Sequence, residues 1–334
     1  MTINLAINGF GRIGRLTLRA LAESGRNDIN VSLINTPGDV HSSAHLFEFD
    51  STHGRYNQPV SYGNDWMDIG SGKIKMTQIR EPEALPHKDH DIDVVLECAG
   101  IFNDKPSAMR HIQAGAKKVL ISAPANDSDL TTVYGVNHHE LRADHQIISN
   151  ASCTTNCLAP VAMVMDRAFG IESGYMTTIH AYTNDQNILD NRHKDLRRAR
   201  SAGQSMVPTS TGAAKAVGLV LPHLNGKLDG SAMRVPTANV SAVDFTFIAK
   251  EDVTVDDVNN ALIAASNSDL AGVLGINERP LVSIDFNQDP HSSIADITQT
   301  QVLGTRFVRV LAWYDNEWGF SNRMLDTAVA MMRV

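Results

Sequence analysis

The sequence predicts an α/β fold in two domains, a mostly parallel sheet followed by a mixed one. Short apolar runs alternate with helical stretches up to about residue 150. After that point strand-like runs stand further apart, joined by long polar loops. The length of 334 residues also accommodates about two domains.

Ile3, Leu5 and Ile7 alternate as in a strand, and Gly9-Phe10-Gly11-Arg12-Ile13-Gly14 follows. Ile13, Leu16, Leu18, Leu21 and Ala22 then recur at helical spacing as far as Gly25. Ile29 to Ile34 reads as the next strand and completes a βαβ unit. Val94 to Leu96, Val119 to Ile121 and Ile147-Ile148 read as further strands, with a helix through Ala108, Ile112 and Ala114 closed by Gly115. Later, Val243 to Ile248, Leu281 to Phe286 and Arg306 to Trp313 read as strands of a more antiparallel sheet. The tail from Met324 to Met332 is apolar on one helical face and is expected to return to the first domain. The expected domains are therefore residues 1–150 with a C-terminal helix over about 318–334, and residues 151–317.

Composition narrows the function classes. Hydrophobic residues at 43% and charged residues at 20% exclude global disorder. A net charge of −8 gives no whole-molecule attraction for nucleic acid or an anionic membrane. An anionic substrate would need a local site of Arg side chains and backbone N–H groups. Three Cys exclude a disulfide framework. No run approaches the ~18 apolar residues of a membrane span. The start, Met1-Thr2-Ile3-Asn4, lacks a basic stretch followed by an apolar one, so the expectation is a cytoplasmic chain.

The glycine motif sits after a strand and opens a helix, the context a dinucleotide site requires. The first Gly permits the tight turn, the second lets the backbone approach a pyrophosphate, and the third lets helix and strand pack closely. The helix N-terminus offers free N–H groups and a positive dipole end. A plain strand–turn–helix with packing glycines is the alternative. At the end of the second strand, Ile34-Asn35-Thr36-Pro37-Gly38-Asp39, the expected ribose-binding acid is replaced by Thr36. A carboxylate there would repel a 2′-phosphate and a threonine would not, which favours NADP or relaxed cofactor choice; alternatively Asp39 does the acid's work across the Pro-Gly turn.

Ser149 to Cys157 stands at the domain change, and Leu158, Val161, Ala162, Val164 and Met165 continue it as an apolar helical face. Cys153 falls near that helix's N-terminus, where the helix end favours the thiolate. Cys157 lies one turn deeper and reads as a buried small hydrophobe; two packed core cysteines remain the alternative. Thr177-Thr178-Ile179-His180 ends a strand-like run, and a His at such a strand end can pair with a thiol and move its proton. None of the 13 His falls in metal-ligand spacing, so no metal is expected.

These residues resemble the phosphorylating glyceraldehyde-3-phosphate dehydrogenase family. The matching stretches are Ala6 to Arg15, Ser149 to Cys157, Thr178 to Thr183, His193 to Arg200, Thr209 to Lys215, Met233 to Thr237 and Trp313 to Glu317, in the family's order. The resemblance implies a Rossmann doubly wound parallel sheet, an α+β catalytic domain and a homotetramer. It implies that Cys153 attacks the aldehyde of glyceraldehyde 3-phosphate, that His180 takes its proton, and that a thioester on Cys153 is released by inorganic phosphate. The substrate phosphate would meet Thr183 and Arg234, with Asp185 nearby; inorganic phosphate would meet Ser152, Thr154, Arg198, Thr211 and Gly212. The dinucleotide would meet Gly9, Phe10, Gly11, Arg12, Ile13, Gly14, Thr36, Arg80, Ser122 and Asn316, the last orienting the nicotinamide carboxamide.

The chain departs from the family in places. NAD-using members carry Asp where Thr36 stands, and an apolar residue and Pro where Asn191-Arg192 stand. In the family that second loop reaches a neighbouring subunit's adenosine ribose, so Arg192 would pair with a 2′-phosphate; together the two changes favour NADP, or use of both NADP and NAD. Phe320 replaces a Tyr common near the nicotinamide. Leu281 to Asn287, Gln204-Ser205 and Asn322 to Thr327 look like erythrose-4-phosphate dehydrogenase. That relative tends to lose Thr183 and the Thr211 to Lys215 segment, both present here. The other readings weighed are a cysteine acyl hydrolase or transferase without hydride transfer, and a redox-sensing binding protein using Cys153 as an oxidisable thiol.

Overall fold

Ile3–Asn8 (β1) is buried at nearly every position, and the chain leaves it through Gly9, whose φ of +90° only a residue without a Cβ adopts readily. Arg12–Ser24 (α1) follows, laying Leu16, Leu18 and Leu21 inward and ending on Gly25 in the left-handed region. The computed structural model describes residues 2–334, which form two units. One runs up to Ser152 and takes back Ser321–Val334; the other is Cys153–Phe320.

The first unit continues with Ile29–Asn35 (β2), Val40–Glu48 (α2), Phe49–Asp50 (β3), Gly54–Arg55 (β4), Ser61–Tyr62 (β5), Trp66–Asp68 (β6), Lys73–Thr77 (β7), Val94–Glu97 (β8), Lys105–Gln113 (α3), Lys118–Ile121 (β9), Leu130–Thr131 (β10) and Ile147–Ser149 (β11). Its main sheet runs β10-β11-β9-β8-β1-β2-β7-β6-β5. Pairing is parallel from β10 to β7, and β6 and β5 add an antiparallel edge. Chain order reverses at β1, between β8 and β2, which is where open parallel sheets bind ligands. The buried apolar side chains of β8, β9 and β11 match the fully covered strands expected of such a sheet.

Register places Asn8, Asn35 and Glu97 side by side where β1, β2 and β8 end. Glu97 is fully buried, and its carboxylate accepts from Asn8 Nδ2 at 2.6 Å and from the Ala99 N–H at 2.7 Å. His111 Nε2 lies 2.9 Å from the same carboxylate, and His87 Nε2 lies 3.0 Å from His111 Nδ1. Asn35 closes the row by donating to Asn8 Oδ1 at 2.7 Å. Both oxygens of the buried carboxyl group thus have hydrogen-bond partners, which makes it tolerable at that depth.

Burial and the neighbouring His111 push the His87 imidazole down from its ordinary 6.5 to about 3. The sign follows: below 6.5 the unfolded chain takes up a proton that the folded His87 does not hold, so stability falls with pH until the folded value is reached. This histidine alone is expected to remove ~1.4 kcal/mol per pH unit across that window. Urea unfolding at pH 7 and pH 5, above the carboxylate range, tests it. His87→Gln should flatten the slope by one proton; identical slopes in the two proteins would refute the assignment.

The second unit contains Cys153–Phe169 (α4), Ile171–Ala181 (β12), Val207–Ser210 (β13), Ala213–Val220 (α5), Leu228–Val235 (β14), Ser241–Ala249 (β15), Val255–Ser266 (α6), Leu274–Asn277 (β16), Ser293–Asp296 (β17), Gln301–Leu303 (β18) and Phe307–Tyr314 (β19). Trp318–Met332 (α7) starts here and carries the chain back to the first unit. The sheet runs β13-β14-β12-β15-β19-β17-β16, with β18 paired to β19. It is mixed: β12 pairs parallel with β14 and antiparallel with β15.

The strand expected over Leu281 to Phe286 is absent. Ser283–Phe286 is a short 3₁₀ turn instead. The Asp285 carboxylate accepts from the Val282 N–H at 2.9 Å, a local bond that competes with ladder pairing. Val282 and Ile284 are exposed, and only Phe286 is buried, stacked on Trp313. No helix among the described residues is long and apolar enough to cross a membrane.

Candidate active site

In the first unit the glycines of the turn have separate reasons. A Cβ on Gly9 would lie 2.4 Å from the Ala99 nitrogen, and one on Gly14 would lie 2.2 Å from the Gly9 oxygen. Both are therefore fixed by packing. A Cβ on Gly11 would meet nothing within 4 Å, so the glycine there leaves open room over the start of α1. No side chain caps that helix, so its N-terminal end can face a ligand. Buried apolar strands beneath, an uncapped helix end and a side-chain-free approach fit a pyrophosphate.

Around this turn, Phe10 stacks on Phe47 and is buried, and Arg12 is ion-paired with Asp50. Ile13 opens α1 half-buried. Thr36 is buried at the end of β2 and gives its N–H to the Thr77 carbonyl at 3.0 Å. Asp39 instead caps α2, accepting from the Ser42 N–H and hydroxyl, both at 2.8 Å. Its carboxylate is exposed and held below the usual range by those bonds, so it remains an anion. Ser122 gives its N–H to the Glu97 carbonyl, and Arg80 is exposed.

In the second unit Cys153 is the first residue of α4 and His180 is the last residue but one of β12. Sγ of Cys153 lies 3.5 Å from His180 Nε2. His180 Nδ1 lies 2.7 Å from the Ala181 carbonyl, and Arg234 Nη1 donates to that carbonyl at 3.0 Å. Arg234 Nη1 also lies 2.9 Å from His180 Nδ1; in the tautomer with its proton on Nδ1, directed at the carbonyl, the Nε2 lone pair faces the sulfur. Strand register brings Arg234 there, because β12 and β14 run parallel with His180 opposite Arg234. The Arg234 Nε is buried and has no hydrogen-bond partner. An orphaned guanidinium donor beside a thiol is the mark of a place for an anion.

Electrostatics corrects one expectation. Burial pushes the Cys153 thiol up from its ordinary value; the Arg234 charge and bonds from the Thr154 hydroxyl and N–H pull against it. The resting sulfur is therefore a thiol, not one held ionised by the helix end. Burial and the adjacent Arg234 charge push His180 down to about 3, so the ring is neutral and able to accept a proton. Cys157 is fully buried, with its thiol pushed up to about 12 by desolvation, and sits 3.4 Å from the Ser293 hydroxyl.

Tyr314 was not assigned a role from sequence. Its buried hydroxyl lies 2.9 Å from both Thr154 Oγ1 and Thr178 Oγ1, and its ring stands edge-on to His180. With Thr154 donating to the sulfur, each hydroxyl can donate once in the order Thr178, Tyr314, Thr154, Cys153. The partners lie 136 and 160 residues from Tyr314, so only the alternation of an apolar strand ending in Trp313-Tyr314 could have marked it.

The residues matched to phosphate sites divide. Arg234 reaches the cysteine–histidine pair. Arg198 forms an ion pair with Asp185 and donates to Thr209 Oγ1 at 3.0 Å, while Asp195 lies 3.6 Å away. This joins one residue from each of the two expected phosphate sites. Thr183 follows β12, and Thr211 and Gly212 stand at the N-terminus of α5, where Thr211 Oγ1 accepts from the Ala213 N–H. Ser152 is the residue before α4. Asn316 is buried just past β19, its Oδ1 2.8 Å from the Ser241 hydroxyl. Arg192 is exposed on the loop after Asp190.

Two family models match the chain: the glyceraldehyde 3-phosphate dehydrogenase NAD binding domain over residues 3–105, and the C-terminal domain of the same family over residues 152–316. The glyceraldehyde-3-phosphate dehydrogenase of Xanthobacter flavus is 60% identical over 331 residues, covering 99% of each chain. The chain belongs to the glyceraldehyde-3-phosphate dehydrogenase family. The Cereibacter sphaeroides protein of that name is 60% identical over the full length of both chains. Glyceraldehyde-3-phosphate dehydrogenase 2 of Bacillus subtilis is 52% identical over 98% of this chain and 96% of its own. The family's NAD-binding domain covers the glycine turn, and its C-terminal domain covers the cysteine–histidine pair.

Proposed function

We propose that the chain catalyses the reversible oxidative phosphorylation of glyceraldehyde 3-phosphate to 1,3-bisphosphoglycerate. The unit built on β1 would bind the dinucleotide, and the unit opened by Cys153 would carry the chemistry. The observation that carries the reading is the 3.5 Å approach of Cys153 to His180, beside the unpartnered Nε of Arg234.

His180 takes the thiol proton as Sγ attacks the aldehyde carbon, giving a thiohemiacetal on Cys153. The alkoxide that develops is met by the Cys153 backbone N–H and the new imidazolium. When bound, the nicotinamide dinucleotide supplies the hydride acceptor for this carbon. A thioester is then held on Cys153, retaining the energy that hydrolysis would waste. Inorganic phosphate attacks its carbonyl, the acyl phosphate leaves, and His180 returns the proton to sulfur. Arg234 with Thr183 suits the substrate phosphate, with Asp185 nearby. Arg198, with Ser152, Thr154 and the α5 start at Thr211 and Gly212, suits the attacking phosphate.

The test is turnover of glyceraldehyde 3-phosphate and erythrose 4-phosphate with and without inorganic phosphate. Phosphate-dependent oxidation of the triose is expected to dominate. Preference for the tetrose, or equal turnover without phosphate, would refute the reading. Arg234→Ala is expected to weaken triose-phosphate saturation by about 10²-fold, as removal of a buried charged hydrogen-bond donor does.

Cofactor choice is read as NADP or both dinucleotides. Thr36 offers no carboxylate to a 2′-phosphate, Arg192 adds an exposed cation, and the exposed Asp39 is the opposing charge. Wild-type kcat/KM should be at least comparable for NADP and NAD, and Thr36→Asp should lower the NADP value by about tenfold or more. A far higher wild-type value for NAD would overturn this. The exposed Ile188, Leu189, Leu196 and Met206 on the loop carrying Arg192 favour a homotetramer in which copies cover one another's loops.

A further inference from the structure

We propose that Ser241 is a positioning residue that fixes which end of the Asn316 amide faces the dinucleotide. This rests on the reading that Asn316 meets the nicotinamide carboxamide.

Ser241 is the first residue of β15 and is 1% exposed. Register sets it opposite Tyr314 on β19, with β12 on its other side. Its hydroxyl accepts from the Ala181 N–H at 3.0 Å and donates to Asn316 Oδ1 at 2.8 Å. A serine hydroxyl has one hydrogen, and here it goes to Asn316. The amide oxygen of Asn316 is therefore occupied. Its Nδ2 makes no hydrogen bond among the described residues.

The consequence is a choice of chemistry. An asparagine offered edge-on can present either a donor or an acceptor, and a 180° flip exchanges them. Ser241 holds the state that presents the donor, which suits the carbonyl oxygen of a carboxamide. The flipped state would place the Asn316 NH₂ against a hydroxyl already receiving the Ala181 N–H, leaving the serine hydrogen without an acceptor. The same peptide group is shared with the base: the Ala181 carbonyl holds His180 Nδ1 and Arg234, while its N–H holds Ser241. One serine thus ties the orientation of the amide to the backbone that sets the base.

The test measures binding by calorimetry on the full-length protein, comparing oxidised NAD with ADP-ribose, which lacks the nicotinamide ring. Ser241→Ala should weaken NAD by about three- to tenfold, the scale of one hydrogen bond, and leave ADP-ribose unchanged. Ser241→Cys, a poor donor of nearly the same volume, should behave like Ser241→Ala, and Ser241→Thr should restore NAD binding. Equal weakening of both ligands, or of neither, would overturn the proposal, as would failure of the threonine to rescue. Asn316→Ala separates the two levels. If it leaves the ratio of NAD to ADP-ribose affinity unchanged, the role of Asn316 itself falls and takes this inference with it. If it changes the ratio and Ser241→Ala does not, only the serine's role falls.

Discussion

Cys153→Ser is expected to lower phosphate-dependent oxidation of glyceraldehyde 3-phosphate by ~10⁴ or more while leaving dinucleotide binding nearly unchanged. The argument turns on two properties of sulfur. A thiol loses its proton far more readily than an alcohol, so the neutral His180 can drive a thiol to attack where it could not drive a serine hydroxyl as fast. A thioester is also a better acyl donor to phosphate than an oxygen ester, so the second half of the reaction slows as well. The substitution is nearly isosteric, and Cys153 sits half-buried at the start of α4 rather than in the fully packed run from Thr154 to Met165, so the fold should tolerate it. Steady-state turnover, with trapping of acyl-enzyme by mass spectrometry, reads the result. Oxidation at close to the wild-type rate would mean that another group attacks the aldehyde.

Local physics was legible in the sequence where it was decisive. The change from a two-residue to a 3.6-residue apolar period across Gly9 to Gly14 disclosed strand, turn and helix, and Gly9 and Gly14 there have no steric substitute. The run Thr177 to His180 was legible as a strand through its β-branched residues, and the strand extends one residue further, to Ala181. Residues 281–286 misled because their apolar content resembles a strand, while the deciding interaction is a single Asp285 bond to the Val282 N–H. The two- and three-residue strands between Phe49 and Asp68 are too short to carry an apolar run and left no periodic trace.

The site was legible in its residue types and less so in its electrostatics. A helix N-terminus is visible in sequence, and it argues for a thiolate at Cys153. Desolvation is a property of the packed fold and acts the other way. The hydroxyl series from Thr178 through Tyr314 to Thr154, and the Ser241 bridge, depend on strand register between segments far apart in the chain. Register of that kind is set by the whole sheet, so no single motif announces it.

His180→Asn is expected to lower kcat by ~10²–10⁴, the usual contribution of a positioned general base. Its cause is separable from that of Cys153→Ser, since the nucleophile remains and only its deprotonation is impaired. Alkylation of Cys153 by a small neutral reagent at pH 7 should slow in the variant, and the acyl-enzyme should still form slowly. The wild-type pH profile carries the finer test. Burial and Arg234 hold His180 down to about 3, so acidification from pH 7 to pH 5 leaves the base form intact. The rate over that range should then stay level and show no inflection near 6.5, because burial holds the thiol protonated and the imidazole neutral throughout. In His180→Asn the rate should instead fall by about tenfold per pH unit, because attack then depends on the fraction of Cys153 already ionised. An added inflection near 6.5 that disappears in the variant would mean that His180 titrates as an ordinary histidine, and that the pair works as an ion pair rather than as a thiol facing a neutral base.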